Sequence, residues 1–233
     1  MADLWIEQRA LLIPLLLLIL FPAVFAVLIK LRRFYRYHRS GGHSLLKVLF
    51  DKGATGEYHL YQKLYRIPGH KVILPNIYLV RPNGNTTEID TVMIHTSGIY
   101  IFEMKNYSGA VYGSPSSKEW TQIFGKNKKT RFYNPIFQNQ IHQRAVKAAL
   151  EMENDIYFHA VTVFSDACKV YIDPLPENLL SMRQIPLAVK TVIRERNGVL
   201  SPQRVKEIGD ALTALNRNSR EIRQRHIQNT ANK

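Results

Sequence analysis

Polar and apolar positions alternate with period two over Thr87–Tyr107, TEIDTVMIHTSGIYIFEMKNY, where Ser97-Gly98 separates two β-branched and aromatic runs. That pattern predicts two antiparallel strands around a tight turn. With Ser97-Gly98 as the loop, Asp90 falls opposite Lys105 and Val92 opposite Glu103. Alternation then puts Asp90, Glu103 and Lys105 on one face, and Ile89, Thr91, Met93, Phe102 and Met104 on the other. A bulge in the turn would shift the register by one and scatter the three charged groups.

Before this hairpin, the chain from Gly53 carries Leu60, Leu64 and Ile67 at helical spacing, with Thr55 as a candidate N-cap and Glu57 in the first turn. Pro68-Gly69 ends that helix. His70–Val80 reads as a strand broken at Pro75-Asn76, and the turn Arg81–Asn85 follows. After the hairpin, Lys118–Phe124 and Thr130–Tyr133 form a second candidate hairpin around a basic tip. Asn134-Pro135 opens a helix reaching about Met152. Tyr157–Phe164 is a buried strand, and the strand–helix–strand order makes it a candidate to lie parallel to an earlier one. Lys169–Ile172 is a further short strand and Ser181–Val192 is ambiguous. Ser201-Pro202 starts a last helix with Val205, Ile208, Leu212 and Leu215 as its apolar stripe.

At the other end, Ala10–Ile29 is twenty residues without a charge, enough for a helix to span about 30 Å of hydrocarbon. A cleaved signal peptide needs a positive start and a shorter apolar core. Here Asp3 and Glu7 stand beside Arg9, and the run ends in basic LIKLRRFYRYHR, so a single-pass anchor is the expectation. Phe34, Tyr35 and Tyr37 would suit the membrane interface, and Lys30–Arg39 would meet anionic lipid head groups. The positive-inside rule then places residues 30–233 in the cytoplasm, at the cell membrane. The organisation expected from pattern is a span at 10–29, a basic juxtamembrane linker at 30–49, a folded domain at 50–165, an extension with an amphipathic helix at 166–216 and a basic, disordered tail at 217–233.

The formal charge is +14, with 32 Lys and Arg against 18 Asp and Glu. Most of the excess lies in the flanks, because residues 50–165 hold thirteen Lys/Arg and nine Asp/Glu. Membrane orientation and solubility account for such flanks, and nucleic acid is the sharper reading. The single Cys168 excludes an intrachain disulfide, fits a reducing compartment and reads as a buried strand-end residue. No Cys/His cluster has zinc spacing, and Gly53 and Gly56 lack the Lys-Ser/Thr pair of a phosphate loop.

Two carboxylates on one sheet face, with a third from the preceding helix, suit a hard cation such as Mg²⁺. A lysine beside them can orient or deprotonate water and neutralise charge on a phosphate. Asp90, Glu103 and Lys105 therefore suit hydrolysis of a phosphodiester, while a surface salt-bridge ladder is the plain alternative. Lys126, Lys128, Lys129 and Arg131, near Trp120, Phe124, Phe132 and Tyr133, suit a nucleic-acid strand. An exposed turn on strands whose aromatics pack inward explains the same residues and is the reading favoured here. Gln138 and His142 are neighbours on one helix face, and His142 reads as a helix-surface histidine.

GATGEY with Glu57, EID with Asp90, IYIFEMKNYSG with Glu103 and Lys105, and NPIFQNQIHQ with Gln138 occur in this order. Over residues 50–165 the chain resembles the nuclease-related domain (NERD) family of the PD-(D/E)xK nuclease superfamily. Ile89 stands where that superfamily usually has proline. The resemblance implies a restriction-endonuclease-like α/β fold, a central mixed sheet flanked by helices, here preceded by one transmembrane helix. It implies Mg²⁺- or Mn²⁺-dependent hydrolysis of DNA or RNA, with Glu57, Asp90 and Glu103 as metal ligands, Lys105 acting on water and Gln138 in support. A non-catalytic module that tethers nucleic acid or a protein at the membrane is the alternative.

Overall fold

A computed structural model describes residues 2–125, 128–154, 157–217, 221, 224, 227 and 228, with side chains from Leu18 onward except Ile19. The chain runs α1 (Ala2–Arg39), α2 (Leu45–Phe50), α3 (Lys52–Tyr65), β1 (Lys71–Val80), β2 (Thr86–His95), β3 (Gly98–Lys105), β4 (Gly109–Gly113), β5 (Glu119–Phe124), β6 (Lys128–Tyr133), α4 (Pro135–Leu150), β7 (Phe158–Phe164), β8 (Cys168–Ile172), β9 (Leu179–Ser181), α5 (Ile185–Arg196) and α6 (Pro202–Arg217). The central sheet has the order β1-β2-β3-β7-β9. Its first three strands form an antiparallel meander, and α4 returns the chain so that β7 lies parallel to β3. The expected α/β fold with a mixed central sheet is therefore present.

The expected transmembrane helix is not. Among the described residues no helix is long and apolar enough to cross a membrane. The side chains of residues 10–17, the first part of the expected span, lie outside the described residues. Nor is Tyr37 an interfacial residue. It is fully buried and packs edge-on against Tyr58 and Tyr61 of α3, which fixes the end of α1 to the domain. The tail expected to be disordered lies largely outside the described residues.

Helices cover the sheet on both sides. Tyr100, Phe102 and Met104 of β3 join Leu60 and Leu64 of α3 and Val189 of α5 in one core layer. Ile99 and Ile101 point the other way, against Ala145 and Val146 of α4 and Val205, Ile208 and Leu212 of α6. A strand buried on both faces reads as a nearly continuous apolar run, which is how β3 appears in the sequence. Asp51 caps α3, its Oδ1 accepting from the Ala54 N–H at 2.8 Å, so the cap lies four residues before the expected Thr55. The ambiguous segment divides into β9 and α5, and Leu215, at the end of the α6 stripe, is 38% exposed.

The second candidate hairpin belongs to a sheet not foreseen, of order β6-β5-β4-β8. There β4 and β8 pair in parallel, as β3 and β7 do just upstream of them. Trp120, Val111, Ile136 and Phe164 fill the core between this sheet and the domain.

The β2–β3 register also departs from expectation. His95 pairs with Gly98 across Thr96-Ser97, so Thr91 meets Phe102 and Val92 meets Ile101. Each partner moves by two positions, which preserves the parity of the faces. A second departure alters the faces. In β1, Asn76 is left-handed (φ 53°), and Val72, Leu74, Ile77 and Leu79 share one core layer. In β2 the corresponding residues are Ile94, Val92 and Ile89. The step from 74 to 77, and from 92 to 89, is three residues, so both strands exchange faces together, as at a bulge. Ile89 thus packs with Val92 and Ile94 instead of Met93.

Asn134 ties α4 to the second sheet. Its Oδ1 accepts from the Ile136 N–H, and its Nδ2 donates to the Pro115 and Ser117 carbonyls at 3.1 and 2.7 Å. Asn134→Ala is expected to lower unfolding free energy by about 2 kcal/mol in urea titration, since it removes a helix cap and leaves two half-buried carbonyls without their donor. An unchanged urea midpoint would contradict this.

Candidate active site

The exchange of faces lies beside Asp90. The β2–β3 ladder ends at Thr91–Phe102, and the Asp90 carboxylate takes over from it. Its Oδ2 accepts the Met104 N–H at 2.7 Å. A cleft of about 480 Å³ lies where the strands part, lined by Glu57, Asp90, Glu103, Lys105 and Gln138 among others. The structure thus brings together all five residues assigned to the reaction from sequence. The route differs from the one expected: Glu103 and Lys105 project from β3 toward α4, whereas Asp90 reaches them through the gap in the ladder. Glu57 comes from α3, which approaches closely because Gly56 has no side chain; a Cβ there would lie 2.6 Å from the Asn106 Cβ.

Glu103 is 1% exposed and both its oxygens are engaged. Lys105 Nζ lies 2.6 Å from Oε1, and His142 Nε2 lies 2.9 Å from Oε2. Lys105 also donates to Gln138 Oε1 at 3.1 Å. Burial would raise the Glu103 pKa, but Lys105 and His142 outweigh it and hold the carboxyl below its usual range. Burial likewise works against the Lys105 ammonium, and the charges of Glu103 and Asp90 more than compensate, so its pKa is raised. A lysine charged at neutral pH has no lone pair to take a proton. Orientation of water and charge neutralisation, one of the two roles read from sequence, suit the charged form.

Asp90 is the opposite case. Burial first, then Glu103 and Glu57, push its carboxyl well above the usual range. Glu57 Oε2 is buried and makes no directed hydrogen bond, although His43 Nε2 stands 3.0 Å away. Three carboxyl groups, Glu57, Asp90 and Glu103, thus line one cleft with a single lysine. Among the described residues no three His, Cys, Asp or Glu side chains stand close enough together to form a ready-made metal cage.

Sequence reasoning missed two histidines. His142 is 2% exposed, and is no surface residue. An ionised carboxylate only accepts, so Nε2–H donates to Glu103; in the neutral ring Nδ1 accepts from the Thr87 hydroxyl at 3.0 Å. The four-residue spacing from Gln138 was the available signal. His43 follows α1 and had no signal in the sequence. Cys168 is half-buried, its thiol pushed up to about 11 by burial, which leaves it unreactive at neutral pH.

The basic tip does not form a single patch. Lys126 lies outside the described residues. Lys128 stands 5.6 Å from the ring centroid of Phe124, which lines the cleft. Alternation along β6 puts exposed Lys129 and Arg131 on the other face, with Arg131 4.0 Å from Glu119. Trp120 is buried and Phe132 packs beside it, as the plainer reading of the aromatics expects.

The site thus lies in a mixed α/β domain, in an acidic cleft that holds a lysine. In comparison with known proteins, residues 52–165 match the family model described as nuclease-related domain (NERD). An uncharacterized protein of Bacillus anthracis is 36% identical over 104 residues, 44% of this chain. The match covers 48% of that protein, so the chain spans about half the length of the curated relative. No solved structure matches significantly.

Asp90 binds its proton more tightly folded than unfolded. Its ionisation therefore costs stability, and the cost grows as pH rises from the unfolded carboxyl range toward the raised folded value. Without added metal, Asp90→Asn is expected to raise the urea midpoint at pH 7, with the gain shrinking toward pH 4. A variant less stable than the parent at pH 7 would contradict this.

Proposed function

We propose that the domain is a phosphodiester hydrolase acting on nucleic acid. The observation that carries the reading is the convergence of Glu57, Asp90, Glu103, Lys105 and Gln138 on one cleft, from a helix, two strands and a second helix. Glu57, Asp90 and Glu103 would hold Mg²⁺ or Mn²⁺, which when bound supplies polarisation of a phosphoryl oxygen and a more acidic water. Lys105, fixed between Glu103 and Gln138, would place its positive charge against the phosphate as negative charge builds up. His142 would act as a positioning residue that holds Glu103 ionised and in one rotamer. Phe124, with Lys128 beside it, offers a face on which a base could stack.

The full chain is the preparation to test, because Tyr37 belongs to the core and truncation at residue 39 would remove it. Oligonucleotide cutting should require added Mg²⁺ or Mn²⁺. Lys105→Ala and Asp90→Ala should each lower the rate by roughly a hundredfold or more while circular dichroism stays unchanged. Equal cutting by both variants and the parent would overturn the assignment. Salt-sensitive binding without turnover in any divalent ion would instead support a non-catalytic nucleic-acid module.

A further inference from the structure

A second recess of about 410 Å³ adjoins the cleft and shares Glu57, Asp90 and Gln138 with it. Its remaining wall brings Arg81, Lys47 and Thr86 together with one further carboxylate, Glu88. Arg81, from the β1–β2 turn, and Thr86, at the start of β2, both line it. Arg81 Nε and Thr86 Oγ1 are buried there, and neither has a hydrogen-bond partner among the described residues. Thr86 is only 7% exposed, so water does not easily satisfy its hydroxyl. Lys47 lines the same wall, with Nζ 3.5 Å from His43 Nε2.

A guanidinium N–H can only donate, and an ammonium can only donate. Arg81 and Lys47 therefore call for a group with acceptor oxygens, which a metal ion cannot supply, and the Thr86 hydroxyl can donate to the same group. A phosphate offers several, in the geometry that arginine and hydroxyl donors recognise. The carboxylates on the shared edge repel such a group and keep it toward Arg81, Thr86 and Lys47, one step away from the acidic cleft. Building on the hydrolase reading above, we propose that this recess is a phosphate subsite that takes a backbone phosphate of the nucleic-acid strand next to the one presented to Glu57, Asp90 and Glu103. It fixes the register of the strand without contacting a base, so it does not discriminate sequence.

Inorganic phosphate is the direct probe, titrated into the full-length protein at constant ionic strength and followed by ³¹P NMR. Arg81→Gln and Thr86→Val should each weaken phosphate binding at least fivefold. Lys47→Gln, an exposed change on α2 that leaves the fold intact, should weaken it at least twofold, which decides the matter if the Arg81 variant does not fold. In oligonucleotide cutting, the same variants should raise KM at least fivefold, with the loss in KM and not in kcat. Phosphate binding that is absent in the parent, or equal in parent and variants, would overturn the subsite. An unchanged KM in variants of a protein that cuts would also remove it and leave the hydrolase standing. Phosphate binding through Arg81 in a protein that cuts nothing would remove the hydrolase and leave a binding site.

Discussion

Burying a carboxylate in the middle of a sheet costs several kcal/mol unless cations and donors surround it, and the arrangement around Glu103 answers that cost. Lys105, on the same strand, takes one oxygen. His142, from the helix that returns the chain to β7, takes the other, and Thr87 of β2 supports the far side of its ring. Three elements, β2, β3 and α4, are thus held in place by a single charge. Removing any one partner would leave an uncompensated ion in the core. Glu103 therefore accounts for the position of α4 over β3 as well as for the shape of the cleft.

Asp90 shows the converse. Its carboxyl accepts from the Met104 N–H, and its neighbours Glu103 and Glu57 are acidic. This local concentration of like charge is unfavourable for folding, and it is sustained by the surrounding well-packed layers. Stability is commonly sacrificed in this way at functional sites, where polar groups are arranged for a ligand instead of for one another. The helix end at Gly56 has the same character, since a bare backbone there permits a close approach that any side chain would prevent.

Much of this was legible in the sequence. Period-two alternation located β2 and β3, Asn134-Pro135 located the start of α4, and the order of four short motifs indicated which acidic residues belong together. The register was out by two because Thr96-Ser97, and not Ser97-Gly98, forms the turn. That error was harmless to the faces. The true obstacle was the exchange of faces beside Asp90, which depends on Asn76 of the neighbouring strand adopting a left-handed backbone. Alternation within one strand cannot reveal an irregularity set by another. His43 was invisible for a similar reason, since only the packing of Tyr37 brings its loop to α3. The apolar N-terminal run is the expectation that fails outright, since among the described residues no helix is long and apolar enough to cross a membrane.

The seating of Tyr37 has a mechanical consequence. Five residues lie between it and His43, and His43 rests against Glu57. Gly42 lies flat beneath the Tyr37 ring, where a Cβ would fall 2.4 Å from a ring carbon, so this short tether has almost no slack. Any force that tilts or draws out α1 is transmitted through taut chain to a carboxylate of the cleft, which makes the long helix a lever whose short arm ends at the chemistry.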